Sequence, residues 1–137
     1  MNNHHTTPKF RVWDKNFKRV CQVDFIDCQR QIATYHISEL AIVTNPIKKI
    51  ILMQSTGLKD KNGVEIFEGD ILRYGNDAIS VTGEVITKLG EAILYGNNLC
   101  WNLYALNRDG GVKNTLIIGN IYETPELRRN LNDSKEM

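Results

Sequence analysis

The stretch of sequence that decides the fold is residues 50–72, IILMQSTGLKDKNGVEIFEGDIL. It opens with the apolar run Ile50–Met53, which has hydrophobic residues on both faces of an extended chain and therefore predicts a strand in the interior of a sheet. Residues that tolerate positive φ follow, and they predict a structured turn over Ser55–Gly63 and a second reversal over Glu65–Gly69. Asp70 then begins another strand, so the block predicts a β-rich domain.

Short strands are predicted upstream of this block, where apolar residues recur at every second position. They cover Phe10–Trp13 and Cys21–Phe25, with Ile32–Ile37 as the hairpin partner of the second strand. Residues 38–43 are ambiguous, since Ser38 is a suitable cap for a single helical turn.

Downstream of the block the same alternation predicts further strands, and a helix start follows them. Gly83 interrupts one of these strands as a bend or a bulge would. Thr124 is a suitable helix cap and Pro125 suits the first helical position, so a short helix is expected from Pro125. The predicted downstream strands are Asp70–Tyr74, Ile79–Val85, Ala92–Tyr95, Leu99–Leu106 and Leu116–Tyr122, with a turn at Arg108–Gly111.

These elements predict a mainly β fold of the β-rich α+β class. The architecture is either a small SH3-like barrel or a strongly bent antiparallel sheet, with an N-terminal β-hairpin lobe and a short C-terminal helix. We expect a single domain over 1–137. Its hairpin lobe covers 9–46 and its barrel-like lobe with the terminal helix covers 47–132, between flexible tails at 1–8 and 133–137.

Composition limits the classes of protein to which the chain can belong. Its 137 residues are 42% hydrophobic and 24% charged, which is ordinary for one soluble globular domain. No apolar run approaches the roughly 20 residues of a membrane span, and no signal-peptide pattern is present, so we expect a cytoplasmic protein without a membrane partner. The formal net charge of +1 argues against a dedicated nucleic-acid clamp but allows a local basic patch.

Three cysteines, Cys21, Cys28 and Cys100, are an odd number, which predicts reduced thiols rather than a disulfide framework. Together with His36 they allow a zinc site as an alternative hypothesis. However, they lack the close spacing of structural zinc ligands, and Cys21 alternates with Val23 as a core residue would. We therefore interpret the cysteines as buried hydrophobic residues and expect no metal and no cofactor.

Three segments share one order and spacing along the chain: KFRVWD at 9–14, the central block from Leu52 to Ile71, and IGNIYETPEL at 118–127. In that order they resemble the YopX family of phage and prophage proteins, over residues 9 to 127. The resemblance implies an origin in a bacteriophage or prophage, a location in the bacterial host cell and a mostly β fold. It assigns no enzymatic activity and no catalytic residue.

Much of this motif is explained by structure alone. The glycines are explained by backbone conformations that other residues rarely adopt. Asp60 and Asp70 are placed to accept hydrogen bonds from turn amides, and the aliphatic residues can fill the core. We interpret the motif as structural, with a ligand site as the alternative. Its residues are Trp13, Gln54, Thr56, Gly57, Leu58, Asp60, Gly63, Ile66, Glu68, Gly69, Asp70, Ile71, Gly119, Asn120, Ile121, Tyr122, Glu123, Pro125, Glu126 and Leu127.

The residues suited to catalysis do not form a recognisable set. Glu65, Glu68 and Asp70 are close in sequence and could bind a hard cation, but no phosphate-binding glycine loop or nucleophile elbow accompanies them. We interpret them as solvated turn carboxylates. Ser55 offers a hydroxyl, yet the nearest candidate base, His36, is predicted in the other lobe. We therefore expect no enzyme and no catalytic residue.

Binding is the favoured class of function. Exposed strand edges in a small sheet domain invite pairing, which predicts a protein-interaction or assembly module whose partners are a second copy of the chain and a phage or host protein. The alternative is a nucleic-acid-binding small β-barrel, because basic residues of the N-terminal lobe interleave with Phe10, Trp13 and Phe17. The candidate nucleic-acid patch is Arg11, Lys15, Lys18 and Arg19.

Overall fold

The computed structural model describes residues 9–75, 80–88, 91–96, 99–104 and 114–128. Within them α-helix is confined to 103–104 and 125–128, and 3-10 helix to Ile47–Lys49 and residue 114, so the prediction of a mainly β fold is confirmed. The strands are β1 (Phe10–Asp14), β2 (Arg19–Asp27), β3 (Ile32–His36), β4 (Ile42–Pro46), β5 (Ile51–Lys59), β6 (Glu65–Phe67), β7 (Asp70–Gly75), β8 (Ser80–Lys88), β9 (Glu91–Gly96), β10 (Leu99–Asn102) and β11 (Thr115–Asn120).

The chain divides into two compact units, Met1–Ser55 (unit 1) and Thr56–Met137 (unit 2). Strand β5 crosses the boundary between them, and its first residues, Ile51–Gln54, pair with β1 inside unit 1. The sequence-based lobe boundary lies earlier, after residue 46. The contacts place the division later because the apolar start of β5 completes the sheet of unit 1.

Unit 1 is an antiparallel sheet in the order β4-β3-β2-β1-β5. The first half of β2 pairs with β1 and its second half pairs with β3, with a shift of register between Val23 and Phe25. The predicted strand pair is therefore confirmed. Alternate residues of these strands form one core, which consists of Val12, Cys21, Ala33, Tyr35 and Ile50 with Val23, Ile26, Ile37, Val43, Ile47 and Leu52 packed against it.

Unit 2 contains an antiparallel sheet in the order β10-β9-β8-β7-β11, and β6 lies beside β5. Its core consists of Ile66, Leu72, Val85, Ala92, Leu94 and Leu103. Strands β10 and β11 stand at opposite edges of this sheet, so the described residues form an open antiparallel sheet and not the closed SH3-like barrel that was one of the two predicted architectures.

Two predictions within the central block need correction. Strand β5 continues to Lys59, so the turn predicted from Ser55 is confined to residues 60–63. Alternation explains the longer strand, since Thr56 is buried and Leu58 packs on the core of unit 2. The reversal predicted from Glu65 is limited to residues 68–69, because Glu65–Phe67 forms β6.

Gly83 does not form a bulge. It pairs with Leu72 in a regular register between β7 and β8. A Cβ atom at this position would lie 2.9 Å from Cγ of Leu94, so close packing explains the glycine.

The terminal helix begins at Pro125, as predicted. The predicted turn at Arg108–Gly111 and both predicted tails lie outside the described residues. No helix in the described part of the chain is long and apolar enough to cross a membrane.

Candidate functional site

Asp60 is the centre of the hydrogen bonding in the central motif. Its side chain is buried, and its Oδ1 accepts the amides of Asn62 and Val64 at 2.9 and 3.0 Å. Its Oδ2 accepts the amide of Ile117 in β11 at 3.1 Å. One carboxylate therefore closes the turn after β5 and ties that turn to a strand far away in the sequence, which is a structural role.

Other polar residues of the motif are also engaged with main-chain groups. Thr56 donates its hydroxyl to the Ile66 carbonyl at 2.8 Å and accepts the Leu58 amide at 3.1 Å. Asp70, 1% exposed, accepts the Phe67 amide at 2.8 Å. The predicted capping roles of Asp60 and Asp70 are confirmed.

The motif glycines and aliphatic residues have mainly conformational and packing roles. Gly57, Gly63 and Gly69 have φ angles of 80°, 81° and 88°, which strain any L side chain. Ile66 and Ile71 are fully buried. Trp13 is half-buried in β1 and Gln54 is exposed in β5.

The C-terminal part of the motif is a turn built around Asn120. Its Oδ1 accepts the amides of Tyr122 and Glu123 at 3.0 and 2.8 Å, and its Nδ2 donates to Glu123 Oε1 at 2.9 Å. The Thr124 hydroxyl accepts the Asn120 amide and donates to the Asn120 carbonyl. A side chain on Gly119 would collide with Thr124 and Leu127, so this turn requires a glycine there.

The remaining members of this segment lie around the turn and the helix. The Ile121 amide donates to the Gly69 carbonyl at 2.9 Å, which joins the two halves of the motif. Pro125 and Glu126 are exposed at the helix start. Hydrogen bonds and packing within unit 2 thus account for most of the motif, whereas Trp13 and Gln54 lie in unit 1.

The acidic cluster is not a solvated group of three. Glu65 and Glu68 are half-buried, and Asp70 is buried, so the solvated interpretation is wrong for Asp70. The described residues include no group of three His, Cys, Asp or Glu arranged to hold a metal ion. Cys21 lies in the core of unit 1 as predicted, whereas Cys28 is exposed in the β2–β3 turn, contrary to the buried interpretation.

His36 is paired with an acid and not with a serine. Its Nδ1 lies 2.5 Å from Oδ2 of Asp24, and both side chains are nearly half exposed. Ser55 is on β5, and β1 and β2 separate that strand from β3 in the sheet. A Ser/His pair is therefore not formed.

The candidate nucleic-acid patch is only partly assembled. Arg11 is 8% exposed in β1 and is buried. Lys15, Lys18 and Arg19 are exposed at the β1–β2 turn (residues 15–18) and at the first residue of β2. Between them Phe17, one of the aromatic residues that interleave with the cations in the sequence, is 52% exposed, so the turn presents an aromatic ring beside them.

A polar network of Asp14, Tyr35 and Asn45 holds the main chain of this turn. Asp14, 1% exposed, accepts the amides of Asn16 and Phe17 at 2.9 and 2.8 Å. Its other oxygen accepts the Tyr35 hydroxyl, which also accepts Nδ2 of Asn45 at 2.8 Å. The turn is thereby fixed to β3 and β4.

This network shifts the pKa of both of its titratable groups. Burial acts to raise the pKa of Asp14, but the hydrogen bonds from Tyr35, Phe17 and Asn16 together outweigh it, so the pKa lies below its ordinary value of 3.8. Burial, and then the bond to Asp14, raises the pKa of Tyr35 to about 12. The charged carboxylate and the neutral phenol stabilise each other.

Strand β4, which overlaps the ambiguous residues 38–43, forms the edge of the sheet in unit 1. Its residues, IVTNP, carry no charge. Ile42 is 59% exposed, and Leu40, just before the strand, is 97% exposed. No sequence pattern identified this strand as an edge strand.

The orientation of the main-chain groups of β4 follows from two hydrogen bonds at its ends. The Ile37 amide donates to the Ala41 carbonyl, and the Ile47 amide donates to the Gln31 carbonyl, both at 2.9 Å. Because pairing alternates along an antiparallel ladder, Val43 and Asn45 direct their main-chain groups to β3. Those of Ile42 and Thr44 therefore face the outer edge, where among the described residues no strand pairs with them.

The chain is similar to known proteins in sequence and in structure. A family model described as YopX protein matches residues 9–128. The chain belongs to the YopX family. The resemblance carried by the three sequence segments is thereby confirmed.

Among solved structures, that of a protein of similar fold matches this YopX chain over most of its length. It is the crystal structure of protein EF1440 from Enterococcus faecalis, with a TM-score of 0.61 and 31% sequence identity. The similarity covers 90% of the YopX chain and 99% of the other chain. No curated protein is similar enough to this YopX chain to count as a match.

Proposed function

We propose that this YopX-family chain is a non-enzymatic assembly module of a bacteriophage or prophage, acting in the cytoplasm of the bacterial host, and that it pairs with a second copy of itself through the outer edge of β4. The single observation that carries the proposal is the pair of outward-facing main-chain groups at Ile42 and Thr44 in an uncharged edge strand. Sheet edges of monomeric proteins are usually protected by charges, bulges or covering segments. Among the described residues, the only protection of this kind in β4 is Pro46, which has no amide hydrogen and therefore limits pairing at the C-terminal end of the strand alone.

A two-fold axis at Val43 gives the simplest geometry for this pairing. Ile42 of one copy then lies opposite Thr44 of the other, and the two antiparallel strands exchange four main-chain hydrogen bonds. Pro46 has no amide hydrogen, so the ladder cannot extend through it on the donor side. A strand of five residues buries less than the roughly 800 Å² per partner of a standard interface, so we expect a dimer that dissociates in the micromolar range.

The non-enzymatic part of the proposal is supported by what the polar groups of the motif do. Asp60 and Asp70 are committed to main-chain amides. Each of these groups therefore has a structural partner that a catalytic role would have to displace.

The test is sedimentation velocity over the micromolar concentration range, with variants of the edge. Ile42→Pro removes an outward amide without touching the β3–β4 ladder, and proline is tolerated at such edge positions. Ile42→Lys adds a charge beside the edge. The matched control is Val64→Lys, because Val64 is 53% exposed and lies in unit 2.

We expect the wild type and Val64→Lys to form dimers and both Ile42 variants to remain monomers with unchanged circular dichroism. A wild type that stays monomeric throughout this range rejects the proposal. A dimer that survives both Ile42 substitutions also rejects it.

A further inference from the structure

The two units carry opposite charge, which the overall value of +1 conceals. Unit 1 holds eight Lys and Arg residues against four Asp and Glu residues, a formal net charge of +4. Unit 2 holds nine against twelve, a formal net charge of −3. A field that attracts polyanions is therefore expected around unit 1 alone.

Most acids of unit 1 are engaged inside the unit. Asp14 is buried against turn amides and Tyr35. Asp24 is paired with His36, and Asp27 accepts the amides of Gln29 and Arg30 at 3.0 Å each. The cations outside β1 are exposed instead, so the positive charge of the unit is directed to solvent; these are Lys9, Lys15, Lys18, Arg19, Arg30, Lys48 and Lys49.

At the β1–β2 turn this charge coincides with an exposed aromatic side chain. Phe17 is half exposed although its main chain is held rigidly: its amide donates to Asp14, and the Lys18 amide donates to the Asp14 carbonyl at 2.7 Å. Arg19, the residue that follows the turn, donates Nη1 to the Ile37 carbonyl at 2.5 Å, which holds its guanidinium at the end of β3. A preorganised turn loses little conformational entropy when it binds a ligand.

We propose that the β1–β2 turn is a contact site for single-stranded nucleic acid, in which Phe17 stacks on a base while Lys15 and Lys18 bind the flanking phosphates. Single strands offer unpaired bases and closely spaced phosphates together, and proteins that bind them combine aromatic stacking with cationic side chains. Arg19 adds a third cation through the guanidinium N–H groups that Ile37 does not use.

The test is fluorescence anisotropy of the full chain with a labelled oligothymidylate of about 15 nucleotides, with KCl varied from about 50 to about 200 mM. The Lys15→Gln/Lys18→Gln double variant is expected to reduce the slope of log K against log[KCl] by about 1.4, since each phosphate contact on a single strand contributes about 0.7. Phe17→Ala is expected to weaken binding roughly tenfold with the slope unchanged.

Two matched controls distinguish specific binding at the β1–β2 turn from a general effect of the positive charge or of an exposed apolar side chain. Lys48→Gln/Lys49→Gln removes the same charge from unit 1 at the 3-10 turn, and Leu40→Ala removes an even more exposed apolar side chain. Both are expected to leave stacking intact, and the first is expected to change the slope by less than half as much as the turn variant. A labelled abasic strand of equal length is expected to bind the wild type as weakly as oligothymidylate binds Phe17→Ala.

Three outcomes overturn the proposal. The first is an equal loss of slope in the Lys48/Lys49 control, which means that charge alone acts. The second is equal binding of abasic and base-containing strands, which means that Phe17 does not stack. The third is binding to anionic phosphatidylserine vesicles without binding to the oligonucleotide, which assigns the turn to a lipid surface.

Discussion

Replacing Tyr35 by phenylalanine tests the buried network that supports the β1–β2 turn. Tyr35→Phe leaves the ring in the core of unit 1 but removes the hydroxyl that donates to Asp14 and accepts from Asn45. A hydrogen bond to a buried charged group contributes roughly 1.5–3 kcal/mol to stability. Loss of the hydrogen bond from the Asn45 side-chain amide removes about 1 kcal/mol more. We therefore expect the free energy of unfolding to fall by about 3 kcal/mol, a large part of the 5–15 kcal/mol typical of a domain.

The assay is urea unfolding followed by circular dichroism. With an m-value of about 1.5 kcal/mol per molar urea, the loss corresponds to a midpoint lower by about 2 M. The matched control is Tyr104→Phe, in which a 46% exposed tyrosine loses a 2.6 Å bond to the Thr56 carbonyl. Water replaces that bond, so we expect less than about 1 kcal/mol there.

The pH dependence gives a second check on the same variant. Because the pKa of Asp14 is lowered in the folded state, its contribution to stability is present above its ordinary value of 3.8 and is lost as the pH falls through the lower, folded value. The difference between wild type and Tyr35→Phe is therefore expected to be full at neutral pH and to shrink in strong acid. An effect as small as that of Tyr104→Phe, or one that persists in acid, refutes the assignment of Asp14 as the charged acceptor.

The remaining predictions concern unit 2. Gly69→Val is expected to lower the melting temperature more than Glu68→Ala, because Gly69 has φ 88° and a β-branched residue there costs about 1–3 kcal/mol; the reverse order would mean that the Glu68 carboxylate carries the turn. Asp60→Ala leaves three main-chain amides without their acceptor, so we expect the free energy of unfolding in urea to fall by at least about 2 kcal/mol. An unchanged free energy of unfolding would contradict the role of Asp60 as the centre of the motif. Burial raises the pKa of Glu84 despite its 2.9 Å ion pair with Arg128, so stability from this group is present at acid pH and lost as the pH rises through the folded pKa. Glu84→Gln is therefore expected to melt no lower than wild type at neutral pH, and a clearly lower melting temperature would show that the ion pair outweighs burial.

Local patterns predicted the elements that local physics controls. The alternation around Cys21 and Val23 predicted β2, and the Thr124-Pro125 pair predicted the helix start, because both depend on neighbouring residues. The hydrogen bonds of Asp60 to the nearby turn amides were also predictable. Its bond to Ile117 was not, because the sequence does not show which strand passes beside a turn.

The main error of the sequence-based prediction concerned strands that are buried on both faces. Arg11 alternates with Val12, which predicts that one faces water and the other the core, yet both are buried in β1. Charge alone therefore placed Arg11 in the exposed patch in error. Strand β4 was missed for the opposite reason. Ile42 and Thr44 lie at an edge with little burial, so alternation is weak there, and Ser38 allowed a helical turn equally well.

The way in which Asp14 holds the β1–β2 turn has a consequence for evolution and for engineering. The backbone of the turn is set from beneath by one carboxylate and the strand pair on either side, and not by the side chains at its tip. Residues 15–17 are thus open to exchange without refolding the loop, whereas a β-branched residue or proline in place of Lys18, where φ is 55°, would strain it. The tip is a natural position at which this scaffold can acquire new specificities by substitution or by grafting of short peptides.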